Sequence, residues 1–251
     1  MFEEGVVRQI AEDVWVRQAV DNCTWAVLGD GVVIVDALEE PELADEVLQR
    51  IQETAGKPVS ALVITHWHGD HTACNAAFRR AGARIIAQQE AARRRRNGPD
   101  ISFATKHELR GDDRRVELRH VGGVHTPEDT CVHFPWAKVL CVGDLFGWGL
   151  IPAERLTPAS SSRLLPVMQR LISYEAETVV PGHGPTATTE HLRRWVDYFL
   201  WLSDEVAARR KQGEDADAIK RALPIPDDMR DWWRIDWKHP HNIEQIAHSL
   251  A

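Results

Sequence analysis

The residues best suited to chemistry in this sequence are histidines and aspartates, four of them in the segment His66-Trp67-His68-Gly69-Asp70-His71. Three more follow later in the chain, at His125, Asp144 and His183. Imidazole and carboxylate together suit zinc, and also iron or manganese, and the set contains no cysteine that would favour a softer metal. The sequence therefore predicts a metal centre with these candidate ligands: His66, His68, Asp70, His71, His125, Asp144 and His183.

Each of the three later residues stands in a turn-like setting. His125 lies in Gly122-Gly123-Val124-His125-Thr126-Pro127, Asp144 follows Gly143, and His183 lies in Pro181-Gly182-His183-Gly184-Pro185. Glycine and proline allow sharp turns, so each side chain can be aimed at a common centre. We therefore expect distant parts of the chain to meet at one site.

The order of the ligands suits two ions. In an extended loop His66 and His68 point the same way, whereas Asp70 and His71 can turn toward a second ion. Asp144 could then bridge both. Two ions roughly 3.5 to 4 Å apart lower the pKa of a shared water and polarise a carbonyl or phosphoryl oxygen. This predicts hydroxide as the nucleophile, with Asp70 as the catalytic residue that orients it or accepts its proton.

The first third of the chain contains the elements that position this segment. Short β-rich runs at 14–16, 24–28 and 32–36 predict a meander of antiparallel strands. Residues 41–55 carry apolar side chains at helical spacing, and Gly56-Lys57-Pro58 ends that predicted helix. The apolar run 59–65 predicts a buried strand, and the histidine-rich segment follows it directly. Ligands commonly bind at such strand ends.

The second half repeats this alternation. We predict strands at 115–121, 131–134 and 138–142, followed by a helix at 164–172. A longer helix is predicted over 189–211, with Gly213 at its end and an apolar stripe of Leu192, Val196, Phe199, Leu202 and Val206. Residues 189–251 are accordingly interpreted as a helical C-terminal extension packed on the rest of a single domain, 1–251.

Composition narrows the class of partner. The chain has 251 residues and a formal net charge of −8, which argues against a nucleic-acid or anionic-membrane partner and favours a small-molecule substrate. Its acidic start and the lack of a long apolar segment predict a soluble, cytoplasmic protein. The four scattered cysteines are interpreted as reduced thiols. Four arginines at 93–96 are interpreted as a solvated helix face, with a site for an acidic partner as the alternative.

Together these motifs resemble the metallo-β-lactamase-fold hydrolase superfamily, and within it the glyoxalase II-like branch, over about residues 10 to 190. The resemblance lies in His66-x-His68-x-Asp70-His71, His125-Thr126-Pro127, Val142-Gly143-Asp144 and Pro181-Gly182-His183-Gly184. It implies an α/β fold, an αββα sandwich with the metals at one sheet edge. It also implies that His66, His68 and His125 hold one metal, that Asp70, His71 and His183 hold the other, and that Asp144 bridges them.

Departures from the family pattern bear on the branch. Ala73, Cys74 and Glu128 replace glycines that relatives often carry, which indicates a different loop shape near the metals. True β-lactamases usually have cysteine or serine in place of Asp144, so we expect at most weak or promiscuous β-lactamase activity. Lactonases that act on acyl-homoserine lactones tend to carry a tyrosine soon after the aspartate, where this chain has Leu145-Phe146-Gly147-Trp148.

The first functional hypothesis is a hydrolase with two zinc ions that cleaves an ester, thioester, lactone or related carbonyl bond through a metal-bridging hydroxide. The alternative is a thiol or persulfide dioxygenase with one iron bound by His66, His68, His125 and Asp144, because iron and zinc accept the same ligands. A third hypothesis is a non-catalytic sensor, whose usual mark is a broken ligand set. The set here is unbroken.

Substrate contacts are sought among aromatic residues and histidines outside the ligand set. The tail from Trp232 to Asn242 is rich in tryptophan and histidine, and it could form core or a wall over the substrate. We name four candidate substrate-binding residues: Trp67, Trp148, His239 and His241. The alternative is simple packing for the two tryptophans and a surface or cap role for the two histidines.

Overall fold

The computed structural model describes residues 5–92, 98–153 and 155–250. These residues form two β-sheets. The first sheet contains β1 (Val6–Ala11), β2 (Val14–Gln18), β3 (Cys23–Leu28), β4 (Gly31–Val35), β5 (Val59–Val63), β6 (Arg84–Gln88) and β7 (Ile101–Phe103), side by side in that order. Strands β1 to β4 pair antiparallel, which confirms the predicted meander, and β4 to β7 pair parallel.

The second sheet contains β8 (Lys106–Gly111), β9 (Arg114–His120), β10 (Thr130–Phe134), β11 (Val139–Gly143) and β12 (Thr178–Pro181). Its order is β12-β11-β10-β9-β8. Pairing is antiparallel except between β11 and β12, which are parallel. The carboxyl ends of β11 and β12 therefore lie side by side at one edge, where Asp144 and His183 follow.

The helices are α1 (Ala44–Ala55), α2 (Asn75–Arg80), α3 (Gln89–Ala92), α4 (Pro158–Ile172), α5 (Thr189–Lys211), α6 (Ala216–Ala222) and α7 (Ile235–Ser249). Gly56 ends α1 in the left-handed conformation, as its sequence position predicts. The predicted helix at 164–172 in fact begins at Pro158, because Thr157 caps its first turn by accepting a hydrogen bond from the Ser160 N–H. Helix α5 has the predicted bounds.

Three hydrophobic layers hold these elements together. One lies between the sheets, with residues such as Val16, Val33 and Val132. A second joins the outer face of the first sheet to α1 and α2. The third joins the second sheet to α4, α5 and α7. The architecture is thus helix, sheet, sheet, helix, and it confirms the α/β sandwich with C-terminal helices.

Helix α5 buries more of its surface than its predicted stripe. Leu192, Phe199, Leu202 and Val206 are buried, whereas Val196 is only partly buried. Trp195 and Tyr198 are also buried, because α4 and α7 both pack against this helix. The C-terminal helices are therefore part of the same core as the second sheet.

Two further predictions concern the arginine run at 93–96 and the absence of a membrane-spanning segment. The arginines at 93–96 lie outside the described residues, so their interpretation stays a prediction. Within the described residues, none of the helices combines the length and the apolar character needed to cross a membrane.

Candidate metal centre

Four loops bring the seven predicted ligands to one edge of the sandwich. The segment from His66 to His71 follows β5, and His125 lies in the loop between β9 and β10. Asp144 directly follows β11, and His183 follows β12. All seven side chains meet there in two overlapping groups. Their roles as metal ligands remain a prediction that this proximity supports.

The first group consists of His66, His68, His125 and Asp144, whose candidate ligand atoms all lie within 4.8 Å of one another. His125 Nε2 lies 3.2 Å from His68 Nδ1 and 3.3 Å from Asp144 Oδ2. His66 Nε2 lies 3.7 Å from the same carboxylate oxygen. Three imidazoles thus converge with one carboxylate, a donor set that suits zinc.

The second group consists of Asp70, His71, His183 and again Asp144. His183 Nε2 lies 3.1 Å from Asp70 Oδ2 and 3.3 Å from Asp144 Oδ2. His71 Nε2 lies 3.3 Å from Asp144 Oδ1. Since Asp144 belongs to both groups and presents an oxygen to each, its carboxylate is placed to bridge two ions.

Several atoms at this centre are buried without a hydrogen-bond partner among the described residues. They are His66 Nε2, His71 Nε2 and Asp144 Oδ1. A buried polar atom left unpaired costs free energy, and such atoms normally have a partner in the native protein. Metal ions would supply that partner, so the residues present fit a pair of divalent cations.

In three of the histidines, the ring nitrogen opposite the centre is held by the surrounding protein. His183 Nδ1 lies 2.7 Å from the Val20 carbonyl oxygen, and His66 Nδ1 lies 3.2 Å from Thr65 Oγ1. His71 Nδ1 lies 3.0 Å from Asp36 Oδ2. Such contacts orient the rings and leave each Nε2 directed at the centre.

Charges within the cluster shift the pKa values of its members. Burial would raise the pKa of Asp144, but His71 and hydrogen bonds from His125 and His183 hold it well below its usual value. For His183, burial opposes protonation, yet Asp144 and Asp70 raise the pKa to about 10. Burial also opposes ionisation of Asp70, and the hydrogen bond with His183 lowers its pKa to about 2. Both aspartates are therefore carboxylates at neutral pH.

Asp36 contacts His71 on the side of the ring away from the centre, and the sequence analysis did not identify it. This residue is 4 % exposed and follows β4 in the left-handed conformation, with φ of 62°. Besides His71, it accepts hydrogen bonds from the Thr65 N–H and Thr65 Oγ1, each at 2.8 Å to one of its oxygens. An acidic residue at the end of the apolar run 32–35 was a possible signal, but its partners lie on β5 and beyond.

Asp129 organises the His125 loop and was also not assigned a role from sequence. It is buried, and it accepts hydrogen bonds of 2.8 Å from the backbone N–H groups of Val124, His125 and Thr126. Thr126 Oγ1 donates a further bond of 2.7 Å. Aspartate side chains commonly hydrogen-bond backbone groups in turns, so the turn residues at 122–127 were the available signal.

We expect Asp129→Ala to loosen this loop and weaken metal binding by His125. Backbone N–H groups would lose their acceptor, at a cost of about 1–3 kcal/mol in the free energy of unfolding. Metal affinity should fall about 10- to 100-fold, the range seen when residues behind metal ligands are removed. Chemical denaturation and metal titration would measure both, and unchanged values would contradict the role given to Asp129.

One cavity of about 570 Å³ opens onto the centre. His125, Asp144 and His183 form part of its wall, and the C-terminal segment forms another part. Trp233 packs against Gly184 in the His183 loop, where a Cβ would lie 2.6 Å from the indole ring. The remaining wall comprises Val20, Phe146, Gly147, Leu150, Ile151, Pro152, Ala153, Arg234, Asp236, Trp237, Lys238, His241 and Gln245.

The four residues predicted to contact substrate have different positions. His241 lines the cavity and stacks on Trp237. Trp67 and Trp148 are each 7 % exposed and belong to hydrophobic core clusters. His239 is buried, with Nδ1 2.9 Å from Tyr198 Oη and Nε2 3.0 Å from the Leu223 carbonyl oxygen. These three pack within the fold and are not among the residues that line the cavity, whereas His241 is; substrate binding by any of the four stays a prediction.

Comparison with known proteins agrees with this geometry. A family model described as "Metallo-beta-lactamase superfamily" matches residues 18–183. A solved metallo-beta-lactamase from Pontibacter korlensis is similar, with a TM-score of 0.65 and 25% identity, covering 79% of this chain and 98% of that one. The DIM-1 metallo-beta-lactamase is similar in fold, with a TM-score of 0.64 and 19% identity over the same shares of the chains.

Two curated relatives are each 29% identical to this chain. One is the 2,4-dinitroanisole O-demethylase subunit alpha of Nocardioides sp. (strain JS1661), aligned over 71% of this chain and 56% of the relative. The other is a hydroxyacylglutathione hydrolase of Rhizobium meliloti (strain 1021), aligned over 68% of this chain and 64% of the relative. The chain therefore spans less than two thirds of the length of either relative.

Proposed function

The chain belongs to the metallo-β-lactamase superfamily, and from this premise we propose that it hydrolyses an ester, thioester, lactone or related carbonyl bond with two bound metal ions. The observation that carries the proposal is the pair of ligand groups sharing Asp144 at the wall of one cavity. A small molecule in that cavity would meet both groups at once. We further propose zinc as the native metal, because imidazole and carboxylate suit it, with iron or manganese as alternatives.

The bound ions would supply a water of lowered pKa and a Lewis acid for the carbonyl oxygen. The protein's own residues would accept the proton and bind the substrate. Asp70 is ionised at neutral pH and its side chain is 28 % exposed, so it can accept a proton released at the centre. The apolar wall formed by residues such as Phe146 and Ile151 excludes water and binds the body of the substrate.

One of the two curated relatives supports cleavage of a carbonyl bond, and neither identifies the substrate of this chain. The hydroxyacylglutathione hydrolase is by its name a thioester hydrolase, which supports a thioester or ester for this chain. The O-demethylase subunit alpha is named for a different reaction, although its sequence identity to this chain is the same 29%. An ether is therefore included in the substrate panel below.

We expect Asp70→Asn to retain the fold and lose hydrolysis. Asparagine keeps the shape of the side chain but cannot accept a proton, so kcat should fall about 10²- to 10⁴-fold. The measurement is turnover of esters, thioesters, lactones, β-lactams and an aryl methyl ether by protein of known metal content. Asp197→Asn, at an exposed position on α5, is the matched control and should keep full activity.

Two outcomes would change the proposal. If Asp70→Asn hydrolysed its best substrate at the full rate, Asp70 would have no part in proton transfer. If iron-loaded protein consumed oxygen with a persulfide and hydrolysed none of the panel, the chain would be a dioxygenase instead. Metal analysis of protein purified without added metal decides which of these experiments is run first.

A further inference from the structure

A buried cation in the wall of the cavity, Lys238, has no anionic partner among the described residues. Lys238 is 3 % exposed although it lies on α7 at the cavity surface. Its Nζ donates a 2.6 Å hydrogen bond to the Trp233 carbonyl oxygen and lies 4.4 Å from the centre of the Trp233 ring. Buried charges in proteins are normally paired, because moving a charge out of water without a compensating partner costs free energy. When protonated, Lys238 is thus a cation in the cavity wall without a counter-ion among the described residues.

A second cation, Arg234, lies close to Lys238. Arg234, which precedes α7, holds its guanidinium 4.6 Å from the same Trp233 ring. Asp236 is the acidic residue of this part of the wall, and it forms no ion pair with Lys238 within the described residues. Two cations are therefore held against one indole ring with one carboxylate nearby. An anion bound at this part of the wall would be attracted by both cations.

From this arrangement we infer that Lys238 recognises an anionic group of the substrate, and that the substrate is an apolar carbonyl compound bearing a carboxylate apart from its scissile bond. The carbonyl bond in this inference rests on the proposed function, whereas the anionic group and the apolar body rest on the residues of the cavity wall. The cavity volume suits a small molecule, and most of its wall is apolar. One ligand could thus reach both the metal centre and Lys238.

The position of Lys238 places this recognition outside the part of the chain that the family model matches. The family match ends at residue 183, whereas Lys238 and Arg234 belong to the C-terminal segment. Trp233 connects the two regions, since it packs on Gly184 beside His183 and holds both cations on its ring. The segment therefore adds a specificity element to a common metal centre.

The ionisation of Lys238 gives this recognition a direction with pH. Burial lowers the pKa of Lys238 to about 7, Arg234 lowers it further, and Asp236 opposes them. The other titratable groups facing the cavity are His241 on α7 and His125, Asp144 and His183 from the loops. The lysine is charged below its pKa and neutral above it. Attraction for an anion is therefore present at low pH and declines as pH rises through about 7. A bound anion stabilises the ammonium, so in its presence this decline occurs at a higher pH.

Binding of two matched ligands to the metal-loaded protein tests the inference without requiring hydrolysis. The probes are phenylbutyrate and its neutral counterpart phenylbutyramide, titrated by calorimetry at about pH 6. We expect the carboxylate to bind about 10- to 100-fold more tightly, the effect of one charge-assisted hydrogen bond. Lys238→Met should abolish this preference. Lys211→Met, an exposed lysine at the end of α5, should preserve it.

A charge-preserving variant separates recognition from packing and from metal binding of the carboxylate. Lys238→Arg should keep the preference and should keep it also at about pH 9, because arginine does not titrate there. The unchanged protein should lose most of it between about pH 6 and pH 9. If Lys238→Met retained the preference, the carboxylate would be held by the metals and the inference would be wrong. Equal weakening of both ligands would assign Lys238 to packing and would also overturn it.

The outcome is independent of the proposed reaction. A protein that hydrolyses none of the panel but shows the Lys238-dependent preference would keep the recognition of an anion by Lys238 and lose the proposed function. A protein that hydrolyses esters with no preference for an anionic partner would keep the proposed function and lose this inference.

Discussion

An Asp144→Asn protein should contain at most about one metal ion per chain, against about two in the unchanged protein, and its hydrolytic rate should fall about a thousandfold or more. The asparagine has the same shape, so the fold should survive. It lacks the negative charge, however, that faces the Nε2 atoms of His66, His71, His125 and His183 at 3.3 to 3.7 Å. Four imidazoles would then converge on a neutral amide, which binds divalent cations weakly.

Elemental analysis and activity together check this expectation. The exposed Asp197→Asn protein serves again as the control, since it loses one carboxylate far from the centre. Asp144→Asn protein with about two metals bound would show that the two groups do not share this residue. Loss of activity with both metals retained would place Asp144 in catalysis alone, and would equally contradict a bridging ligand.

Gly182→Ala should disrupt both ligand groups through steric overlap alone. A Cβ at Gly182 would overlap Asp144 Oδ1 and would lie 2.7 Å from His71 Cε1. The loop cannot move aside easily, because the Gly182 N–H donates to Gly143 and its carbonyl accepts from Asn22, each at 2.8 Å. We expect loss of most bound metal and of activity, with the free energy of unfolding lowered by about 1–3 kcal/mol.

Gly69→Ala provides the steric contrast for this experiment. Gly69 also lies between predicted ligands, yet a Cβ there would meet no atom within 4 Å among the described residues, and its backbone is not left-handed. Metal content and unfolding free energy should therefore change little. Equal damage in both proteins would show that glycine flexibility, and not the close approach to Asp144 and His71, explains the requirement at 182.

Much of the frame could be read from local sequence. The strands observed at 14–18, 23–28 and 31–35 were predicted at 14–16, 24–28 and 32–36, and the helix Thr189–Lys211 with its observed bounds, because periodicity and turn residues act over a few positions. The seven candidate ligands were recognised because their types and turn settings are also local. Their grouping into two sets, with Asp144 shared, was implied by family resemblance, and the structure brings the side chains together in those sets.

The residues that support the ligands were not predictable in the same way. Asp36 meets Thr65 and His71 across nearly thirty positions or more, and that contact exists only once β4 pairs with β5. Tryptophan and histidine are ambiguous for a related reason, because their apolar bodies suit both a core and a cavity wall. Only packing placed Trp67, Trp148 and His239 inside the fold and His241 at the cavity.

The sequence by itself thus determined which candidate metal ligands this protein has, since the ligand residues and the turn residues that orient them lie in short segments of the chain. The tertiary structure alone decided what lies around those ligands. The C-terminal segment reaches back so that Trp233 packs on the His183 loop and Lys238 becomes a buried cation in the cavity wall. The burial of Lys238, and the lack of a counter-ion for it within the described part of the chain, depend on which surfaces meet in space, so no spacing along the chain could reveal them.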